Sequence, residues 1–233
     1  MTSNPLPVNL RIHGDNIIEC ERGLNLIAES FGGTTRFVTN PPYMPRYEIL
    51  NKDAIQFEVE LLAGHGRWGV NLQNIFQLYG APLREAADAI ITKITEQDTE
   101  EVLVAIEFSS ALPAGNNAWQ RNGRALACAI AGIPYLYYTE IGGVELDENR
   151  EIKAPRFPNP IVPFSYLTAS QIYGVLCLPV YSASPSSSSN IRSQFSSVIG
   201  VNDAKQVIRH IIEGNLSSQS YNALVLKTME MVR

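Results

Sequence analysis

The sequence predicts an α/β fold in which helices flank a mixed central β-sheet, and three observations carry that expectation. Two β-branched runs, Asp88-Ala-Ile-Ile-Thr-Lys-Ile94 and Glu101-Val-Leu-Val-Ala-Ile-Glu107, stand either side of the polar stretch 95–100 and read as a hairpin. A helix-like stretch capped by Asn116 or Asn117 runs to Ala131 and leads into Tyr135-Leu-Tyr-Tyr-Thr-Glu-Ile141, so strand, helix and strand imply a parallel, right-handed crossover. Helical spacing of Ile17, Leu24, Ile27 and Phe31 places another helix ahead of the sheet.

Each element has a local reason. Asn16 caps the first helix, with Glu19 three positions on, and Gly32-Gly33 ends it. Pro41-Pro42 and Pro45 mark a loop. From Tyr47 to Leu62 the chain reads as two strands around Asn51-Lys52-Asp53, with alternation clearest from Ile55 to Leu61. A glycine-rich turn, Gly64-His-Gly-Arg-Trp-Gly69, precedes a short helix over Leu72 to Tyr79 that closes at Gly80-Ala-Pro82. Gly132-Ile-Pro134 stops the crossover helix. Residues 142–163 form a proline-rich, charged excursion, and Gly174 to Tyr181 reads as a late strand in which Pro179 favours an edge position or an irregular end over a central place. Ser182 to Asn190 is a serine-rich, solvated loop. Asp203 to Glu213 is a capped amphipathic helix ending at Gly214. From Ser220 a last helix runs to Arg233 without a stop signal, as in a chain that continues further.

Composition bounds the function. The 233 residues, 45% hydrophobic and 18% charged, suit one globular domain with a sizeable core. No apolar run approaches the roughly 20 residues that span a bilayer, and the start lacks a basic region leading into an apolar one, so the expectation is a cytoplasmic protein with no membrane partner. Cys20, Cys128 and Cys177 are odd in number and widely spaced, which argues for buried free thiols over zinc or a disulfide framework. The net charge of −5 disfavours a broad nonspecific nucleic-acid surface, yet the charge is uneven: residues 47–107 hold 11 acids against 4 bases, and residues 162–233 hold 3 against 5. The deficit therefore surrounds Asp88 and Glu107, and a cation there would offset part of it.

Those two acids are the chemical focus. In an antiparallel pair the start of one strand lies beside the end of the next, so Asp88 and Glu107 should share one edge of the sheet, within reach of one hard cation such as Mg²⁺. Glu21 falls beside the apolar stripe of the first helix and is a third candidate acid, whereas capping explains Glu19. His13 and His210 read as structural or boundary residues. The chain has no nucleophilic Gly-x-Ser-x-Gly turn, no phosphate-binding Gly-x-x-x-x-Gly-Lys and no dinucleotide fingerprint.

The order Asp88, then Glu107-Phe-Ser109, then a helix with Gln120-Arg121, resembles the core of the PD-(D/E)XK nuclease superfamily, which includes most type II restriction endonucleases. The resemblance covers residues 15–141 and implies a restriction-endonuclease-like core, with residues 142–233 added for DNA recognition or dimerisation. It implies that Asp88 and Glu107 bind Mg²⁺ and that Glu21 is the helix acid that joins them. Ala87 stands in place of the motif proline and Ser109 in place of the lysine that helps activate water, and a serine brings no positive charge. Gln120 is then the candidate for orienting water, and Arg121 and Arg124 for neutralising phosphate.

The expected reaction is Mg²⁺-dependent hydrolysis of double-stranded DNA, sequence-specific in the manner of a type II restriction enzyme, by a homodimer reading a palindrome. Candidates for touching DNA are Arg67 with His65 and Trp68 on the glycine-rich turn, Ser109, Arg121 and Arg124 near the acids, and Asn190, Arg192 and Gln194 after the serine loop. Two alternatives stand beside it: a nuclease-like fold that binds DNA or protein without cutting, which Ser109 favours, and an unrelated α/β hydrolase of small phosphoesters.

Overall fold

A computed structural model describes residues 6–39, 44–64, 87–97, 99–109, 116–143, 146–152, 159–215 and 218–233, without the side chains of 116–120 and 218–220. The strands are β1 (Val8–Gly14), β2 (Thr34–Thr39), β3 (Arg46–Asn51), β4 (Ala54–Ala63), β5 (Ala89–Ile94), β6 (Glu100–Ser109), β7 (Tyr135–Ile141) and β8 (Cys177–Ala183). The helices are α1 (Ile17–Ser30), α2 (Asn116–Ile130), α3 (Ile161–Tyr173), α4 (Ser189–Gln194), α5 (Val201–Ile212) and α6 (Ser218–Val232). All eight strands belong to one sheet in the order β2-β3-β4-β1-β5-β6-β7-β8.

The sheet is mixed, as expected. β1 is parallel to β4 and antiparallel to β5, β5 is antiparallel to β6, and β6, β7 and β8 run parallel. With β3 antiparallel to both β2 and β4, six strands end at one rim of the sheet, where β3 and β5 begin. The crossover from β6 through α2 to the parallel β7 matches the expectation from the sequence. Pro179 lies in β8, the edge strand, where its missing N–H costs no ladder bond on the open side.

Side chains alternate across the sheet with the strand period of two and give the core two layers. Ile12, Ile91, Ile106, Leu136 and Val180 pack with residues of α1 and α5 on one face. Ile90, Ala105, Tyr135, Tyr137 and Cys177 pack with α2 and α3 on the other. Full burial of each such aliphatic side chain is worth about 2 kcal/mol, so these layers hold the rim in place. Asn16 caps α1 through Oδ1, which accepts from Ile18 N at 2.9 Å and Glu19 N at 3.1 Å. At Gly14 a Cβ would sit 2.5 Å from Cys20 Sγ and 2.8 Å from Asn16 O, so glycine permits the tight turn that brings the first turn of α1 to the rim.

Several elements differ from the sequence expectation. β1 and β2 were not expected, nor was α3, which begins inside the supposed excursion 142–163. Part of the serine loop turns into the short α4, capped by Ser188. The helix expected over Leu72 to Tyr79 lies outside the described residues. The three cysteines are free and buried; burial pushes the Cys20 and Cys177 thiols up to about 12 and Cys128 upward as well.

Candidate functional site

Register brings the two focal acids together. Ala89 pairs with Ile106 in the antiparallel β5–β6 ladder, so Asp88, immediately before β5, comes opposite Glu107. Phe108 N donates to Asp88 Oδ2 at 2.8 Å, and Asp15 N donates to the Asp88 carbonyl at 2.9 Å. The carboxylate is thereby fixed by backbone at the rim. Opposed positions share a face, and here that face carries α2.

Two arginines of α2 meet the acids there. Arg121 and Arg124 lie one turn apart on the helix. One Arg124 nitrogen donates to both oxygens of Glu107, at 2.7 and 2.9 Å, and lies 3.8 Å from Asp88 Oδ1. Arg121 Nε donates to Glu107 Oε1 at 3.2 Å, and its guanidinium lies 5.7 Å from the centre of the Tyr137 ring. Glu107 is 1% exposed, whereas the Asp88 side chain keeps 21%. Burial first, and then the neighbouring Asp88 charge, push the Glu107 carboxyl above the usual range; Arg124 and Arg121 pull it back only in part. Glu107 is thus a buried acid with a raised carboxyl, bonded by two arginines and standing beside a second acid that keeps part of its surface in water.

The helix acid nearest this pair is Glu19. Burial and the charges of Asp88 and Asp15 raise its carboxyl, with Arg22 opposing. Glu21, the acid expected to join, is exposed on α1. The physical reason is the helical phase: Cys20, Gly23, Leu24 and Ile27 form the buried stripe, which puts Glu19 at its rim-ward margin and Glu21 on the solvent side.

The other candidates fall into distinct places. Ser109 ends β6, half-buried, two residues after Glu107. Gln120 belongs to α2, but its side chain is outside the described set, as are Arg67, His65 and Trp68 altogether. Asn190, Arg192 and Gln194 are exposed on α4, which follows β8, two strands beyond β6 and so about 10 Å across the sheet. Arg192 is tied back to the serine loop, donating from Nε to Ser187 Oγ at 3.0 Å and from a terminal nitrogen to Pro185 O at 2.8 Å. That geometry gives it a role in holding the loop.

A second ionic cluster, unseen in the sequence, links β1, β3, β4, β5 and β6. Arg11 pairs with Glu60 at 2.7 Å and with Glu100, and Glu60 also meets Arg46 at 2.7 Å. His13, fully buried, has Nε2 2.5 Å from Glu100 Oε2, and Thr92 Oγ1 donates to the same oxygen at 2.7 Å. Burial alone would raise Glu100, but the bonds from His13 and Thr92 and the charges of His13 and Arg11 outweigh it and hold the carboxyl down at about 2. The signal available in sequence was the alternation Arg11-Ile12-His13, which sets two basic residues on one strand face.

As a metal site, Asp88 and Glu107 offer oxygen donors of the type Mg²⁺ takes, and Mg²⁺ is commonly held by only one or two carboxylates together with water and phosphate. No group of three or more His, Cys, Asp or Glu side chains arranged for a metal occurs among the described residues. Both oxygens of Glu107 are bonded by Arg124, so an ion there would take the place of that guanidinium. Comparison with known proteins found no matching family model, no matching curated protein and no matching solved structure.

Proposed function

We propose that the protein is a Mg²⁺-dependent endonuclease of the PD-(D/E)XK type, hydrolysing phosphodiester bonds of double-stranded DNA in the manner of a type II restriction enzyme. The observation that carries this reading is the meeting of Asp88 and Glu107 across the β5–β6 ladder, at a rim faced by the arginines of α2. The order of β1, β5, β6 and β7, three antiparallel strands and then a parallel one behind a crossover helix, supports a nuclease-like core.

Asp88 and Glu107 hold the ion, which when bound polarises the scissile phosphate and lowers the pKa of water. Asp88, anchored by Phe108 N, and Glu107 would hold the ion, and the Arg124 guanidinium, bonded to Glu107 in this structure, would supply beside a phosphate the positive charge that Ser109 does not. Glu19 adds a third carboxylate at the rim, and Gln120 on α2 orients water. The partner is duplex DNA and the location cytoplasmic; no described helix is long and apolar enough to cross a membrane. A homodimer agrees with α3, which carries no charged residue and exposes Phe164 and Ile172, a surface that a second copy covers without burying charge.

Incubating supercoiled plasmid with and without Mg²⁺ tests the reading: discrete linear fragments that require Mg²⁺ are expected, and their absence with wild-type protein across a range of DNA sequences overturns it. One observation favours a second reading. Arg124 already spans both oxygens of Glu107, as in a site that has replaced the ion with a guanidinium, and such a protein binds DNA or a protein partner without cutting. Gel retardation of the plasmid without cleavage is its signature.

A further inference from the structure

A cleft of about 330 Å³ opens at the same rim on the opposite face of the sheet, between α1, the start of α5 and the ends of β6, β7 and β8. Its position obeys the rule that ligands of open α/β sheets lie beyond the carboxyl ends of parallel strands. Its volume is at the lower end of small-ligand pockets.

One wall is aromatic: the Phe108 and Tyr138 rings are 5.7 Å apart, and the Arg22 guanidinium lies 5.6 Å from the centre of Phe108. The polar margin mixes signs. Arg22 and Lys205 bring positive charge, each shared with an acid, Arg22 with Glu19 at 3.4 Å and Lys205 with Glu29 at 2.7 Å, while Glu140 adds negative charge and Asn25 and Ser182 neutral hydrogen-bonding groups. Tyr138 lines the cleft, and its hydroxyl is buried without a hydrogen-bond partner among the described residues. A buried hydroxyl in that condition calls for a partner.

These features exclude the simpler ligands. Inorganic phosphate leaves the aromatic wall unused, and an aliphatic chain sets apolar surface against a charged margin that includes the Lys205–Glu29 pair at 2.7 Å. A planar heterocycle bearing donors and acceptors, joined to one anionic group, uses both walls. The cleft also communicates with the acids: Phe108 contributes its ring to the wall and its N–H to Asp88, while Arg22 reaches Glu19 at 3.4 Å. The larger groove over β2, β3 and β4 lacks this link to the acids.

We propose that this cleft is a nucleotide subsite, holding one nucleoside monophosphate unit of a DNA strand with its base against Phe108 and Tyr138 and its phosphate against Arg22 and Lys205. The assignment of the strand rests on the nuclease reading; the chemistry of the cleft does not. The test is calorimetric titration of dAMP into Mg²⁺-free Glu107→Gln protein, with inorganic phosphate and deoxyadenosine titrated separately. Saturable 1:1 binding of dAMP tighter than about 1 mM is expected, weakened about tenfold by Phe108→Leu and by the double variant Arg22→Gln/Lys205→Gln. Phosphate binding as tightly as dAMP, or dAMP binding indifferent to Phe108→Leu, overturns the base-binding wall. No saturable heat with dAMP overturns the subsite altogether. A single-stranded oligodeoxynucleotide should displace dAMP; failure to compete overturns its assignment to a DNA strand. Plasmid cleavage by wild-type protein separates the two readings, since cutting without dAMP binding sinks the subsite alone, and dAMP binding without cutting sinks the nuclease alone.

Discussion

Glu107 and Glu100 lie on the same strand, β6, both withdrawn from water and both beside arginine, yet their carboxyls move in opposite directions. Glu100 is met by His13, Thr92 and Arg11 and stays ionised far below the usual range. Glu107 is met by two arginines and is still raised, first by its burial and then by the charge of Asp88, which stands opposite it at the rim. Burial costs both acids; what differs is whether the surroundings were completed by protein groups. The Glu100 cluster ties strands together, whereas the raised Glu107 beside Asp88 at the rim is the feature on which the proposed metal site rests.

The comparison breaks most decisively through activity. Asp88→Asn or Glu107→Gln should lower Mg²⁺-dependent DNA cleavage by about 10²–10³-fold, the scale seen when one preorganised electrostatic group is removed, while circular dichroism shows an unchanged fold. Glu100→Gln should leave the rate per folded molecule alone, and a comparable loss there would erase the distinction between the clusters.

Stability gives the next largest effects. Arg124→Ala leaves Glu107, 1% exposed, with one fewer partner and should cost about 3 kcal/mol in urea unfolding at neutral pH. Adding Glu107→Gln should restore part of that loss, because it removes the charge left unpaired. Glu100→Gln should cost about 2 kcal/mol by breaking charge-assisted bonds to His13 and Arg11, and more than Glu107→Gln does at the same pH.

Acid titration sharpens the contrast by sign. Glu100, with its folded value near 2 against 4.5 for the free group, supplies stability that is present above pH 4.5 and drains away as pH falls toward 2. Glu107 is raised, so its contribution is fully present below 4.5 and is lost as pH climbs through the folded value. Thermal melts should therefore show Glu100→Gln flattening the fall below pH 4.5 and Glu107→Gln flattening the decline on the alkaline side of 4.5. The smallest effect expected is from Asn16→Ala, about 1 kcal/mol of lost capping, which should loosen the turn that carries Glu19.

The hairpin and its two acids were legible because β-branched runs end on charged residues at matching places, and a period of two forces opposite positions onto one face. α1, α2, β7 and α5 were equally plain from caps and periodicity. β1 was hidden because its alternate side chains, Arg11 and His13, are polar partners of the Glu100 and Glu60 cluster, so a half-buried strand read as a polar segment. β2 is exposed at every position, leaving no burial pattern to read. α3 contains Pro163 and has no charged face to alternate with its apolar one, so its periodicity is faint. Glu19 was assigned to capping and Glu21 to the acids for want of the helical phase, since Asn16 alone bonds the first-turn amides and leaves Glu19 free to pair with Arg22.

The three cysteines of the interior have a practical corollary for watching this molecule at work. With burial holding Cys20 and Cys177 near 12 and raising Cys128 as well, these thiols form almost no thiolate at neutral pH, so maleimide dyes and mild oxidants should pass the native chain by. A single cysteine installed at exposed Ser193 on α4 would then carry a fluorophore alone, and its distance to a dye-labelled duplex would report where nucleic acid lies relative to the rim.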